Sequence, residues 1–92
     1  MISYLVCYDI EDDGERARVA RVLEHYGQRV QYSVFELHLR HSAQLADVRE
    51  DLLAVVGESP DVRFYCLDRI STSESFSLDG TRVGFLPAAV VV

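Results

Sequence analysis

Hydrophobic residues are grouped in short runs typical of β-strands, and helical repeats separate these runs. Residues 2–10 are rich in β-branched and aromatic side chains and end at an acidic cluster, which predicts a buried strand. Residues 62–70 predict another strand in the same way. Residues 29–39 are also extended and contain no Gly, Pro or Asn. They form either one long strand or two short strands joined by a bend near Tyr32 and Ser33, and the sequence leaves both open.

The first helical repeat covers residues 13–26. Its apolar face consists of Val19, Val22, Leu23 and Tyr26. Asp12 precedes the repeat and Glu15 follows three positions later, which resembles a capping box with Asp in place of Ser or Thr. Gly27 is the expected C-terminal stop of this helix.

The second helical repeat covers residues 42–56. Its core stripe consists of Leu45, Val48, Leu52 and Val55. Ser42 is the expected N-cap, and Gly57 is expected to end the helix. A turn at 59–61 then leads into the strand at 62–70.

The C-terminal part begins with a polar, serine-rich segment at 71–75. Residues 76–78, the Asp79-Gly80 turn and residues 82–86 predict a terminal hairpin or an added edge strand. The last five residues are apolar, so we expect them to pair with another strand, such as one from a partner chain. We therefore predict a domain at 1–78 and a partner-pairing strand or tail at 79–92.

The order of these elements predicts an α+β fold of the ferredoxin-like type. Strand, helix, strand pair, helix and strand give the βαββαβ pattern, with two helices on one face of an antiparallel sheet and an additional C-terminal strand. The other sheet face stays free in this arrangement. Since 49% of the residues are hydrophobic, we expect that face to be a homodimer surface.

Length and charge limit the possible functions. The 92 residues make one domain, and the net charge of −6 argues against a general nucleic-acid coat. All nine basic residues are arginine, which suits bidentate phosphate contacts but also follows from a GC-rich genome. Cys7 and Cys66 lie in hydrophobic runs, so we expect buried, reduced thiols. We expect a cytoplasmic protein with no membrane association, because no basic leader or long apolar run is present.

Asp9 is the first candidate for chemistry, because it ends an apolar strand. A carboxylate there usually caps a helix, orders a loop or coordinates an ion. If the two-fold axis of a dimer passes nearby, two Asp9 side chains face each other and repel unless a cation lies between them. Mg²⁺ (or Mn²⁺) suits such a pair, and a metal-bound water can then attack a phosphodiester. This metal site is a hypothesis.

Arg16, Arg18 and Arg29 are the second candidate. They can hold phosphate oxygens near a metal, or they can pair with the acidic residues close by in sequence. Helical geometry puts Arg16 and Arg18 on opposite flanks of the apolar face and leaves Arg21 in solvent. The three histidines form no metal-binding pattern, so we expect them to be solvated or interfacial: His25, His38 and His41.

A series of motifs resembles the CRISPR-associated protein 2 family, the small subunit of the spacer-acquisition complex. The series joins the strand-end YDI at 8–10, the paired aspartates at 12–13, RAR at 16–18 and RVQYSVFE at 29–36. The match is close over about the first 40 residues, and the length and element order agree throughout.

The resemblance implies a homodimer with the two sheets face to face, and Asp9 as a metal ligand from each subunit. It implies further site positions at Tyr8, Arg16, Arg18, Arg29 and Phe35. It also implies a metal-dependent endonuclease acting on single-stranded RNA or on DNA. In the acquisition complex such a dimer bridges the larger integrase, CRISPR-associated protein 1, and holds spacer DNA. Two alternatives stay open, a non-catalytic adaptor and a toxin-like ribonuclease of the same fold.

Overall fold

The computed structural model describes residues 1–58 and 60–84. It contains four strands, two long helices and one short helix, with these bounds: β1 Ile2–Asp9, α1 Asp13–Glu24, β2 Gly27–Gln31, β3 Val34–Leu39, α2 Ser42–Leu53, β4 Asp61–Leu67 and α3 Arg69–Ser73. The strands form one sheet in the order β2-β3-β1-β4, and every neighbouring pair is antiparallel. The predicted α+β, βαββαβ arrangement is confirmed.

The core lies between the sheet and the two long helices. Alternate residues of β1 and β3 point toward the helices and are buried, as for Val6, Tyr8, Phe35 and Leu37. They pack against apolar residues of both helices: Val19, Ala20, Leu23, Val48 and Leu52. The opposite alternation leaves Leu5 and its neighbours on a sheet face that no described helix covers.

The stretch at 29–39 forms two strands rather than one. Tyr32 and Ser33 make the turn between β2 and β3, and the register shifts between Arg29 and Gln31. Gly27 starts β2 and does not act as a helix stop, so that prediction was wrong. Its Cα lies against β3, because a Cβ placed there would be 2.0 Å from the carbonyl oxygen of Glu36.

The predicted helix caps are only partly correct. Asp12 caps α1, since its Oδ2 accepts from the backbone N–H of Glu15 at 2.8 Å. Glu15 does not complete a capping box; its carboxylate accepts from the backbone N–H of Gly57 at 2.6 Å and so ties α1 to the segment after α2. α2 is capped by His41 rather than Ser42, without a side-chain hydrogen bond, and ends at Leu53.

The region after β4 differs from the predicted strand. Asp68 ends the extended run, because its Oδ1 accepts from the backbone N–H of Ser71 at 2.7 Å and starts α3. Residues 69–73 are therefore helical. Cys66 is exposed on this edge strand, and Cys7 is half-buried, so the prediction of two buried thiols was wrong.

A small hairpin follows α3, as predicted for the start of the C-terminal part. Phe76 and Arg82 form an isolated antiparallel bridge, and Ser77 donates to the carbonyl of Thr81 at 2.8 Å. The expected strand at 82–86 and the apolar end fall largely outside the described residues, and the division at 78 stays a prediction. No helix within residues 1–58 and 60–84 is long and apolar enough to cross a membrane.

Candidate functional site

Asp9 occupies the last position of β1 and is exposed. Its Cα lies opposite that of Asp61 on β4, so two carboxylates sit at the same end of the sheet. Asp61 accepts from Nε of Arg63 at 3.2 Å, whereas the Asp9 carboxylate forms no hydrogen bond or ion pair with a described residue. Asp9 is not the helix cap, since Asp12 has that role. It therefore remains free to bind an ion.

Tyr8 and Phe35 form an aromatic pair on the helix-facing side of the sheet. Their ring centroids are 6.3 Å apart and the rings are inclined by only 26°. The Arg29 guanidinium carbon lies 5.3 Å from the Phe35 centroid and 5.8 Å from that of Tyr32. Such cation–π contacts fix the guanidinium next to the phenol of Tyr8.

Arg16 approaches the same place from α1. Its Nη1 donates to the carbonyl oxygens of Ile10 at 3.0 Å and Glu11 at 3.3 Å, and its Nη2 pairs with Asp13. Its guanidinium carbon is 5.6 Å from the Tyr32 ring centroid. The hydrogen bond that Arg16 donates to Asp13 contributes most to raising the pKa of Arg16, so this side chain keeps its charge at all ordinary pH values.

These side chains surround a cavity of about 200 Å³, which we call the Tyr8 cavity. Its lining residues are Tyr8, Asp13, Arg16, Ala17, Ala20, Arg29 and Tyr32. The two guanidinium groups and one carboxylate leave the lining with one net positive charge in a chain whose net charge is −6. A local positive site of this kind favours anions.

The hydroxyl of Tyr8 is the unusual group of this cavity. The residue is 6% exposed, and its Oη has no hydrogen-bond partner in good geometry among the described residues. Burial raises the pKa of Tyr8, and the nearby positive charge of Arg29 opposes that shift. The phenol is therefore protonated and available as a donor.

The structure brings together four of the six predicted site residues, namely Tyr8, Arg16, Arg29 and Phe35. Asp9 neighbours Tyr8 in a strand, so their side chains point to opposite faces of the sheet. Arg18 lies apart, in a groove between α1 and α2 that Arg21 and His25 also line. Of the three predicted arginines, only Arg16 pairs with a neighbouring acidic residue, since Arg18 and Arg29 form no ion pair with a described residue.

Tyr32 is a member of this cluster that sequence reasoning did not identify. The sequence places it in a possible bend and in the RVQYSVFE motif but not among the site residues, yet its ring contacts both Arg16 and Arg29. An aromatic residue three positions after an arginine, at a turn between strands, is the signal that was available.

Asp9 fits a hard divalent cation in one respect. It offers an exposed carboxylate without a protein partner, and Mg²⁺ binds readily through one or two carboxylates while keeping several waters. No group of three or more His, Cys, Asp or Glu side chains converges among residues 1–58 and 60–84. One copy of the described chain therefore offers at most two carboxylates at this end of the sheet, Asp9 and Asp61, and Asp61 is paired with Arg63.

Comparison with known proteins identifies the family. The family model described as CRISPR associated protein Cas2 matches residues 1–74. The chain belongs to the Cas2 family. This confirms the resemblance found in the motif series, and it assigns the chain to the CRISPR systems.

Relatives of known sequence and structure agree with this assignment. A CRISPR-associated endoribonuclease Cas2 of Synechocystis sp. is 44% identical over 68 residues, which cover 73% of each chain. A solved chain from a partial Cas6-RT-Cas1–Cas2 complex matches with a TM-score of 0.84 and 31% identity, covering 94% of this chain and all of that one. Streptococcus pyogenes Cas2 matches with a TM-score of 0.68 and 33% identity, covering 83% and 98%.

Proposed function

We propose that this Cas2 family member acts in CRISPR spacer acquisition as a homodimeric scaffold that bridges the integrase, CRISPR-associated protein 1, and spacer DNA. We further propose that its paired Asp9 residues carry a metal-dependent endonuclease activity. The similar chain from a complex that also contains Cas1 supports the scaffold role. Relatives named endoribonuclease or endonuclease support the activity.

The unpartnered carboxylate of Asp9 is the observation on which the catalytic proposal rests. Asp9 is exposed at the end of a central strand, whereas Asp12 binds the backbone N–H of Glu15 and Asp61 binds Arg63. A second copy would supply the second carboxylate. A divalent metal held by the pair would activate water and neutralise charge on the scissile phosphodiester.

The uncovered face of the sheet supports the homodimer. Its centre is mainly apolar and partly exposed, with Leu5, Cys7, Val34, Tyr65 and Leu67 at alternating positions of β1, β3 and β4, and with Glu36 opposite Leu5. Its edges carry Asp9, Asp61 and Arg63. A mainly apolar centre with a polar rim is the usual composition of a stable interface. Because Asp9 lies on this face, the same association would bring two Asp9 residues closer.

Cleavage assays with Asp9→Asn test the catalytic part. Labelled single-stranded RNA and double-stranded DNA are incubated with Mg²⁺, Mn²⁺ or EDTA. We expect the wild type to cleave only with metal, and Asp9→Asn to lose at least about 100-fold in rate because the metal ligand is gone. The matched control Asp47→Asn, on the exposed face of α2, keeps the wild-type rate. Cleavage in EDTA, or by Asp9→Asn at the wild-type rate, contradicts the metal mechanism.

A purely structural adaptor is the second candidate function. The net charge of −6 favours it, because an efficient free nuclease needs to attract a polyanion. Spacer acquisition in cells separates the two. Equal acquisition by wild type and Asp9→Asn, beside undetectable cleavage in vitro, assigns the scaffold role alone. Membership in the Cas2 family disfavours the third alternative, a toxin-like ribonuclease.

A further inference from the structure

The Tyr8 cavity contains more hydrogen-bond donors than the described residues use. Tyr8 Oη donates its proton to no described residue, although the Arg29 guanidinium lies beside it, and Arg29 makes aromatic contacts but no ion pair with a described residue. Arg16 is held in place by two backbone carbonyls, so its guanidinium is fixed at the cavity wall. Tyr32 stands at the mouth, exposed by 67%, with its ring against both arginines.

We propose that the Tyr8 cavity binds the terminal phosphate of a nucleic-acid strand, which is a phosphomonoester, in preference to a phosphodiester within the strand. This inference rests on the proposed function, because it assumes that the protein binds nucleic acid. It goes further in naming which part of the strand enters the cavity and which side chains recognise it.

The number of acceptor oxygens favours a phosphomonoester. A terminal phosphate carries three strong acceptor oxygens and between one and two negative charges. An internal phosphodiester has two free oxygens and one charge. Arg29 and the Tyr8 hydroxyl are the donors that stay available, since Arg16 already donates to two carbonyls and to Asp13. Arginine forks bind phosphate bidentately, so the third oxygen and the higher charge of a phosphomonoester give the stronger contact.

The size of the cavity favours the same ligand. A volume of about 200 Å³ is below the roughly 300–1,000 Å³ of sites that enclose a whole small molecule. It accommodates a phosphate group, and the attached nucleosides have to lie outside it: one for a terminal phosphate, two for an internal phosphodiester.

Asp13 modulates this site, because its carboxylate lines the cavity and pairs with Arg16. An entering phosphate has to compete with that carboxylate for the same guanidinium. Asp13 is 91% exposed at its side chain, so it can turn into solvent when displaced. Removing its charge should therefore strengthen phosphate binding, whereas an acidic residue that merely supported the helix would have no such effect.

Binding of short single strands with different ends tests the proposal. Strands of one sequence carry a 5′-phosphate, a 3′-phosphate or hydroxyl ends only, and their fluorescence anisotropy is titrated in EDTA at fixed salt. We expect a phosphorylated end to lower the Kd by about tenfold, the effect of one or two hydrogen bonds to a charged group. Millimolar inorganic phosphate should compete away that gain and leave the residual binding of hydroxyl-ended strands unchanged.

Three variants and one control test whether the Tyr8 cavity is responsible for the higher affinity for phosphorylated ends. Arg29→Gln and Tyr8→Phe should reduce the preference for the phosphorylated end, and Asp13→Asn should increase it several-fold. Arg40→Gln is the matched control, because this arginine is exposed before α2 and its side chain contacts nothing in the cavity. Thermal unfolding of each variant shows whether the fold is retained, and Tyr8→Phe is expected to fold because it removes only an unpartnered hydroxyl.

Three results would overturn the inference. One is equal affinity for phosphorylated and hydroxyl ends in the wild type. Another is a preference that survives in both Arg29→Gln and Tyr8→Phe. The third is that calorimetry detects binding of inorganic phosphate to a protein that binds no nucleic-acid strand. That result would also remove the proposed nucleic-acid function, whereas the first two results leave that function standing.

Discussion

Gly27 is the first residue of β2, and its Cα lies directly against β3. The glycine follows a helical repeat, so the sequence predicts a helix stop, but the residue begins a strand instead. A helix stop and a strand start can both appear in the sequence as a glycine after an apolar repeat. Only the position of the neighbouring strand distinguishes the two roles. Cys66 is a similar case. Its apolar run predicted burial, yet it lies near the end of an edge strand, where cover is incomplete.

The close approach at Gly27 gives a stability prediction. A Cβ there would be 2.0 Å from the carbonyl oxygen of Glu36 and 2.7 Å from Cδ2 of Leu37, so Gly27→Ala must push β2 away from β3. We expect the free energy of unfolding to fall by about 1–3 kcal/mol or more in urea denaturation. Gly14→Ala is the control. Its Cβ would meet only ends of flexible side chains at 3.3 Å and beyond, so helix propensity makes it neutral or stabilising. Equal effects of both substitutions would contradict this account.

Tyr26 gives a prediction at alkaline pH. Its Oη donates to Oδ2 of Asp51 at 2.5 Å, and this hydrogen bond, with burial, raises the pKa of Tyr26 to about 12. Because the folded pKa lies above the ordinary value of 10, the stabilisation is complete below pH 10 and is lost as the pH rises toward 12.

Wild type should therefore lose more unfolding free energy than Tyr26→Phe between about pH 9 and about pH 12. Asp51→Asn removes the charged acceptor, so absorbance titration should find the pKa of Tyr26 closer to 10. Identical pH profiles for wild type and Tyr26→Phe would rule out this source of stability.

Elements as a whole were predictable where burial is periodic. The helices and central strands have regular apolar positions, and the order of elements then gives the ferredoxin-like sheet. α3 escaped prediction because it has no buried residue and depends on a single cap at Asp68. The site residues were likewise predictable only in part. Motif matching found Tyr8, Arg16 and Arg29, but Tyr32 joins them only through the turn between β2 and β3.

The contact between β1 and β3 gives a prediction in mildly acidic solution. Ser3 Oγ and His38 Nδ1 lie 2.9 Å apart on the uncovered sheet face. Burial lowers the pKa of His38 below 6.5, and the negative charge of Glu36 partly opposes the shift. Because the pKa is lowered in the folded protein, the unfolded chain binds the proton first as the pH falls. The stability that neutral His38 contributes is therefore present above pH 6.5 and is lost as the pH falls through the folded pKa.

The free energy of unfolding of the wild type should thus decrease more than that of His38→Gln when the pH falls from about 7.5 to about 5. Glutamine can keep a hydrogen bond to Ser3 without titrating. Chemical denaturation at each pH gives the comparison, and NMR titration of the His38 ring gives the pKa directly. A ring pKa at or above 6.5 in the folded protein would refute the argument.

At the scale of the whole molecule, the two sheet faces divide the proposed tasks. The helix-facing side carries the Tyr8 cavity, whereas Asp9 and the apolar centre lie on the uncovered side. An anion bound in the cavity would therefore leave the uncovered face open to a second copy. This separation would allow one small acidic chain to carry out both proposed tasks, self-association and nucleic-acid binding.

Dimerisation through the uncovered face is testable at Leu5. This residue is central in β1, opposite Glu36 of β3 and Tyr65 of β4, so two copies stacked on this face would bring their Leu5 side chains into the interface. Leu5→Arg should raise the dimer dissociation constant by at least about tenfold in sedimentation equilibrium, because taking a guanidinium group out of water costs several kcal/mol. Within one copy, Arg at this position can pair with Glu36, so the monomer is expected to stay folded.

Leu53→Arg is the control, since Leu53 is 66% exposed on α2, on the other side of the sheet. It should dimerise as the wild type does. Metal-dependent cleavage is measured on the same samples to test whether activity requires the dimer. If each metal needs two Asp9 residues, Leu5→Arg should lose activity as the dimer dissociates and regain it at high protein concentration. Full cleavage by a Leu5→Arg monomer would show that one Asp9 suffices, and the shared metal site would have to be abandoned while the scaffold role could stand.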